Sequence, residues 1–88
     1  MKIKDGFVLR EVAGEYMVIA AGEASREFYG YIRLNGTGRD IWEGIEKGLT
    51  AEEIAAGLAE KYKVDIEKAA ADTEKMIASM EQEGILEA

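Results

Sequence analysis

The feature that most constrains the fold is a change of hydrophobic period at Leu34. In the segment that ends at Leu34, apolar residues recur at two-residue spacing, Phe28 and Ile32 among them. This spacing is typical of a β-strand, whose successive side chains point to opposite faces. After Leu34 the apolar residues follow helical spacing, with Ile41 and Trp42 adjacent. A strand is therefore predicted to run directly into a helix that carries the only tryptophan.

Two more strands are predicted before this junction. Residues 7–13 carry apolar side chains at nearly alternate positions, and residues 16–20 are apolar throughout, which is typical of a central strand. The glycine-containing segment 13–15 fits a tight hairpin between them. Residues 21–27 are predicted as a polar loop and residues 28–34 as the third strand. Because sequential strands with short links usually pair in order, we expect an antiparallel meander with the first and third strands at its edges.

Three helices are predicted after the junction. They span residues 37–47, 51–62 and 66–83, and residues 85–86 follow as an apolar tail. Gly48 and Gly84 are placed to end the first and third helices, since glycine is common just after a helix. Thr50 and Glu53 form a capping-box pattern at the start of the second helix. The order of elements predicts an α+β, winged-helix-like fold, with a three-stranded antiparallel sheet followed by three helices.

The length and the hydropathy of the chain limit its number of domains and its cellular location. The 88 residues contain no linker and no repeat, so residues 1–88 are predicted to form a single domain. No apolar run approaches the length of a membrane span, and the first residues lack the apolar core of a signal peptide. We therefore expect a cytoplasmic protein without a membrane partner.

The composition leaves few routes to catalysis. The chain contains no cysteine and no histidine, which excludes disulfides, thiolate or imidazole metal sites, and Ser–His or Cys–His nucleophiles. Carboxylates are plentiful, but they fall mostly on outward helical positions, where a solvated surface is the simpler interpretation. We expect a non-catalytic protein with no metal and no cofactor, and a small enzyme is the weakest alternative.

A winged-helix nucleic-acid-binding domain is the main alternative, because it shares this architecture. Such a domain needs a basic recognition helix. The net charge here is −7, and the predicted helix at 51–62 contains three glutamates and one lysine. These charges disfavour binding to a phosphate backbone.

Aromatic residues on the predicted edge strand indicate a surface that binds a partner. Tyr29 and Tyr31 alternate with the apolar residues of the third strand, beside backbone groups that an edge strand leaves unpaired. The alternative is that both rings simply cover the sheet. Trp42, Met76 and Met80 are expected in the core, although methionine also suits adaptable peptide-binding surfaces. An open edge can also pair with a second copy, so a homodimer is one expectation.

Several short segments resemble the PqqD-like family. Residues 34–42 read Leu-Asn-Gly-Thr-Gly-Arg-Asp-Ile-Trp, similar to the family signature Leu-Asn-x-Thr-(Ala/Gly)-x-x-Ile-Trp. Residues 50–54 resemble the family's capped second helix, and residues 62–65 resemble its Tyr-x-Val-Asp turn. Residues 72–86 follow the spacing of its last helix and tail, so the resemblance covers the whole chain.

This resemblance implies a function and a site. PqqD-like proteins are peptide chaperones, also called RiPP recognition elements. They bind the leader of a ribosomally made precursor peptide and present it to a modifying enzyme, often a radical S-adenosylmethionine (radical SAM) enzyme. The leader adds as a strand along the third strand, against the third helix, a mode known as β-augmentation. The implied site comprises Phe28, Tyr29, Gly30, Tyr31, Ile32, Arg33, Ala69, Asp72, Thr73, Met76 and Met80. The methionines stand where the family has aliphatic or aromatic residues.

Overall fold

The computed structural model describes residues 1–26 and 30–87. The strands are β1 (Lys2–Ile3), β2 (Phe7–Val12), β3 (Glu15–Ala20), β4 (Tyr31–Leu34) and β5 (Leu86–Glu87). The helices are α1 (Gly36–Glu46), α2 (Ala51–Tyr62) and α3 (Ile66–Gln82). None of these helices is both long and apolar enough to cross a membrane.

Strands β2, β3 and β4 form the predicted antiparallel meander, with β3 in the middle. A two-residue turn joins β2 to β3, and its residues Ala13 and Gly14 both have positive φ, 53° and 80°. This is the geometry of a type I′ turn, whose twist matches that of the flanking strands. The three strands followed by three helices confirm the predicted α+β fold.

The third strand is shorter than predicted. It begins at Tyr31, because Gly30 has a φ of 83°, a left-handed conformation that extended backbone does not contain. Phe28 and Tyr29, which the prediction included, lie outside the described residues. The predicted loop before them contains a 3₁₀ helix, Gly22–Arg26, in which the Ser25 hydroxyl donates to the Gly22 carbonyl at 2.7 Å.

A second, two-stranded sheet joins the two ends of the chain. β1 pairs antiparallel with β5, and the Lys4 N–H donates to the Ile85 carbonyl at 2.8 Å. The prediction had only an apolar tail here. Two residues at each end are too few to show a strand pattern, and their partner lies at the opposite end of the sequence. Ile85 is completely buried, so the tail completes the core.

The helix starts follow local capping chemistry. At α1 the Asn35 side chain caps the helix by accepting from the Gly38 N–H at 2.7 Å, so α1 starts one residue before the prediction. The predicted capping box of α2 is confirmed, because the side chains of Thr50 and Glu53 each accept from the other's backbone N–H. Asp65 precedes α3, but its side chain makes no capping hydrogen bond.

Trp42 is the largest fully buried side chain of the described residues, with 1% of its surface exposed. Val18 from the sheet, Leu58 from α2 and Met80 from α3 belong to the same buried cluster. Helices α1 and α2 approach closely at Gly44, where a Cβ atom would lie 2.7 Å from Ile54 Cγ1. The predicted placement of Trp42 in the core is confirmed.

Helical spacing predicts an apolar face that runs to Tyr62 in α2 and starts at Ile66 in α3, and both faces extend too far. Tyr62 at the end of α2 is 39% exposed, and Ile66 at the start of α3 is 52% exposed. Both lie at helix ends next to the turn that joins α2 to α3, where the packed helices leave the core. Periodicity along a helix does not show where its packing partner ends.

Candidate functional site: the groove between β4 and α3

A groove of about 850 Å³ separates β4 from α3. Its apolar lining includes Ile32 and Leu34 from the strand and Ala69 and Met76 from the helix. The end of α2 and the start of α1 close one side of it, through Tyr62 and other residues. The groove therefore lies where the last strand of the sheet meets the last helix.

The strand side of the groove is an open sheet edge, because β4 pairs only with β3 among the described strands. The orientation of its backbone follows from the register. The Ala21 N–H donates to the Gly6 carbonyl at 2.7 Å, in line with the β2–β3 pairing. In an antiparallel ladder, hydrogen-bonded pairs alternate with non-bonded pairs. Following this alternation from β2 through β3 to β4 shows which residues bond to β3. Ile32 and Leu34 turn their backbone N–H and C=O groups toward β3, and Tyr31 and Arg33 turn theirs to the open edge.

Side chains on β4 alternate between the two faces of the sheet. Ile32 and Leu34 are half-buried and face the helices, while Tyr31 and Arg33 are exposed. Tyr31 is 57% exposed, and on the sheet it lies beside Ile19 of β3. A strand added to this edge would place alternate side chains into the groove and beside Tyr31.

The helix side of the groove is apolar at its base and charged at its rim. Ala69 is buried and Met76 is half-buried. Above them, Lys68 and Asp72 form an ion pair one turn apart at 3.3 Å, and Lys75 is exposed. The groove thus offers apolar contact to a side chain that enters it and polar contact at its mouth.

The structure brings five residues of the implied site together in this groove. They are Ile32, Arg33, Ala69, Asp72 and Met76. Tyr31 begins the same edge strand, and Gly30 precedes it. Phe28 and Tyr29 fall outside the described residues.

Two further residues of the implied site are buried and do not line the groove. Thr73 has no exposed surface, and its hydroxyl donates to the Ala69 carbonyl at 2.8 Å inside α3. Met80 is 5% exposed and belongs to the core cluster, beside a small apolar cavity that Met76 also lines. The resemblance implied both residues as peptide contacts on one face of the helix. It did not show that this face divides into a core part and a groove part.

A polar cluster at the end of the groove was missed by sequence reasoning. The Tyr62 hydroxyl donates to Asp40, and Lys61 Nζ lies 3.0 Å from the same carboxylate. Partial burial alone would raise the pKa of Asp40, but the hydrogen bonds from Tyr62 and Lys61 hold it below its usual value. The hydrogen bond to Asp40 raises the pKa of Tyr62. The cluster ties α1 to the end of α2 and fixes the ring that closes the groove. Nothing in the local sequence pairs these residues.

The sequence of the chain matches a known protein family. Residues 15–86 match the family model of coenzyme PQQ synthesis protein D (PqqD). The chain belongs to the PqqD family. The match confirms the family resemblance and includes the whole groove of this PqqD-family protein.

Two solved structures share its fold. One is described as TbiB1 in complex with the TbiA(β) leader peptide, with 25% sequence identity and a TM-score of 0.81; the match covers 100% of this chain and 96% of that chain. The other is lasso peptide synthetase B1 complexed with the leader peptide, with 17% identity and a TM-score of 0.79, covering 96% and 93%. No curated protein gives a significant match.

Proposed function

We propose that this PqqD-family protein binds the leader segment of a ribosomally made precursor peptide and presents it to a modifying enzyme such as a radical SAM enzyme. The observation that carries the proposal is the open edge of β4, with outward backbone groups at Tyr31 and Arg33, beside a groove walled by α3. An extended peptide there would gain main-chain hydrogen bonds from the strand and side-chain contacts from the groove. Residues 1–88 would act as one peptide-binding module with no catalytic role.

Family membership and the solved relatives support this proposal. TbiB1 and lasso peptide synthetase B1 both hold a leader peptide. The proposed contacts are Gly30, Tyr31, Ile32 and Arg33 on the strand side, with Ala69, Asp72 and Met76 on the helix side. Phe28 and Tyr29, which lie outside the described residues, remain in the proposal as contacts. Thr73 and Met80 would act by supporting the inner face of α3. The cytoplasmic location stays a prediction.

A chemical-shift titration tests the site. Leader peptides of precursors encoded near the gene would be added to the ¹⁵N-labelled protein. Shifts are expected at residues 31–34 and 69–79, on the two walls of the groove. If the peptide binds but shifts only residues of the 3₁₀ helix and α2, the groove is not the site. If no such peptide binds, leader recognition itself is contradicted.

Met76→Glu is expected to weaken leader binding about tenfold or more, because it places a charge on the apolar wall that faces Ile32. The matched control is Met76→Leu, which keeps volume and apolarity and should bind like the parent. Calorimetric titration with the same leader measures both, and amide spectra verify that each variant is folded. Equal affinity of the glutamate variant would remove Met76 from the site.

The same edge is where two copies of the chain would pair if the protein dimerises. Self-pairing and leader binding would then compete for Tyr31 and Arg33. Sedimentation analysis with and without leader would separate the two states, since saturating leader should dissociate an edge-paired dimer.

Sequence-specific binding to duplex DNA is not expected. The exposed positions of α2 include Glu52, Glu53 and Glu60, and its Lys61 already pairs with Asp40. Specific binders reach dissociation constants of about 10⁻⁸–10⁻¹¹ M at physiological salt. A mobility-shift titration should show no sequence-dependent complex below about a micromolar. Observing one would favour the winged-helix regulator instead.

A further inference from the structure

Charge is distributed unevenly between the groove and the rest of the molecule. The chain carries a net charge of −7. The described residues that line the groove nevertheless include three cations and a single carboxylate. These are Arg33, Lys68, Lys75 and Asp72. Glu15 offsets the charge of Arg33 and Asp72 offsets that of Lys68, so Lys75 supplies the uncompensated positive charge of the groove.

Of the three groove cations, Lys75 is the one that no described residue pairs with. Arg33 pairs with Glu15 on the outer face of the sheet, and Lys68 pairs with Asp72. Within the described part of the chain, no carboxylate lies within ion-pair distance of Lys75. Its side chain is exposed at the rim, next to Met76. An approaching carboxylate could therefore pair with it without displacing a partner.

The start of α1 adds positive potential on the strand side of the groove. Asn35, Thr37 and Gly38 line the groove there, and the first turn of α1 contains no acidic residue. A helix N-terminus is equivalent to about half a positive charge. The Asn35 side chain already accepts from Gly38, so the contribution of α1 is this field rather than a free donor.

We propose that the groove selects leader segments that combine an apolar residue with an acidic one, and that Lys75 binds the acidic carboxylate. This inference rests on the proposed function. The part of α3 that lines the groove, from Lys68 to Ser79, is about 16 Å long. That length matches about five residues of extended peptide. The apolar side chain would lie between Ile32 and Met76, and the carboxylate would meet Lys75 at the rim.

The test uses a displayed library of random peptides, selected separately on three proteins. These are the parent, Lys75→Glu and the control Lys47→Glu. Lys47 follows the last residue of α1, about 18 Å along the helix axis from Asn35. Lys47→Glu changes the net charge by the same amount as Lys75→Glu. The parent and the control should enrich Asp and Glu beside an apolar residue. Lys75→Glu should lose that enrichment.

A matched pair of synthetic peptides then measures the contribution of Lys75. One is an acidic peptide from the parent selection, and the other replaces its Asp and Glu by Asn and Gln. The acidic peptide should bind Lys75→Glu about tenfold more weakly than the parent, and the amide peptide should bind both alike. Selected peptides that shift the groove amides but show no acidic enrichment would overturn this inference and leave the proposed function standing. Peptides that bind elsewhere, or no binders, would overturn both.

Discussion

Trp42→Ala is expected to lower the free energy of unfolding by about 3–5 kcal/mol. The ring is the largest fully buried side chain described and packs in the cluster that joins the sheet to all three helices. A domain of 88 residues has a total stability of about 4–13 kcal/mol. The substitution would therefore remove about a quarter of the stability or more, and at the low end of the range the chain would not fold. Urea unfolding followed by far-UV circular dichroism measures the loss.

Trp42→Phe provides the control. Within the described residues the indole Nε1 is buried without a hydrogen-bond partner. Phenylalanine keeps most of the apolar contact and removes this unsatisfied donor, so the expected cost is below about 2 kcal/mol. If Trp42→Ala unfolds at nearly the same urea concentration as the parent, the indole does not anchor the core.

Tyr31→Pro is expected to weaken leader binding by about 2 kcal/mol or more, which is about 30-fold in the dissociation constant. Proline removes the N–H that the register turns to the open edge, and its ring occupies the position of the peptide's partner carbonyl. The fold should tolerate it, because Tyr31 is the first residue of an edge strand. Calorimetric titration gives the affinity, and thermal unfolding gives the stability.

Two controls separate the backbone from the side chain. Tyr31→Val keeps the N–H and loses the ring, so it should bind much better than the proline variant. Ile32→Pro removes an N–H that faces β3, so it should reduce stability more than Tyr31→Pro. If Tyr31→Pro is folded and binds the leader like the parent, the peptide does not add to this edge.

The strand and the helix that form the candidate site could be predicted before the structure, but only some of its residues could. The alternation before Leu34 predicted the edge strand, and the family resemblance implied that the third helix forms the other wall of the site. The implied site did not separate Thr73, which is sealed inside the core, from the groove residues. Nor did the sequence show that Lys75 lies at the rim without an ion-pair partner among the described residues. Both depend on how α3 packs against the other elements of the fold, and that packing joins segments remote in sequence.

The sequence by itself determined the features that short-range chemistry controls. The tight hairpin at Gly14 and the capping box at Thr50 each involve residues within a few positions of one another. Hydrophobic period added the order of strands and helices, because each element must bury one face. These signals were enough for the fold class and for the burial of Trp42.

Only the tertiary structure decided the features that join distant segments. The pairing of β1 with β5 and the attachment of Asp40 to Tyr62 both link residues that have no pattern in common along the chain. The backbone N–H of Tyr31 points to the open edge because of the pairing register of β2, β3 and β4. The physical reason is that a local pattern fixes the direction of a side chain relative to its own element. Which surface that direction meets is fixed only when the elements pack.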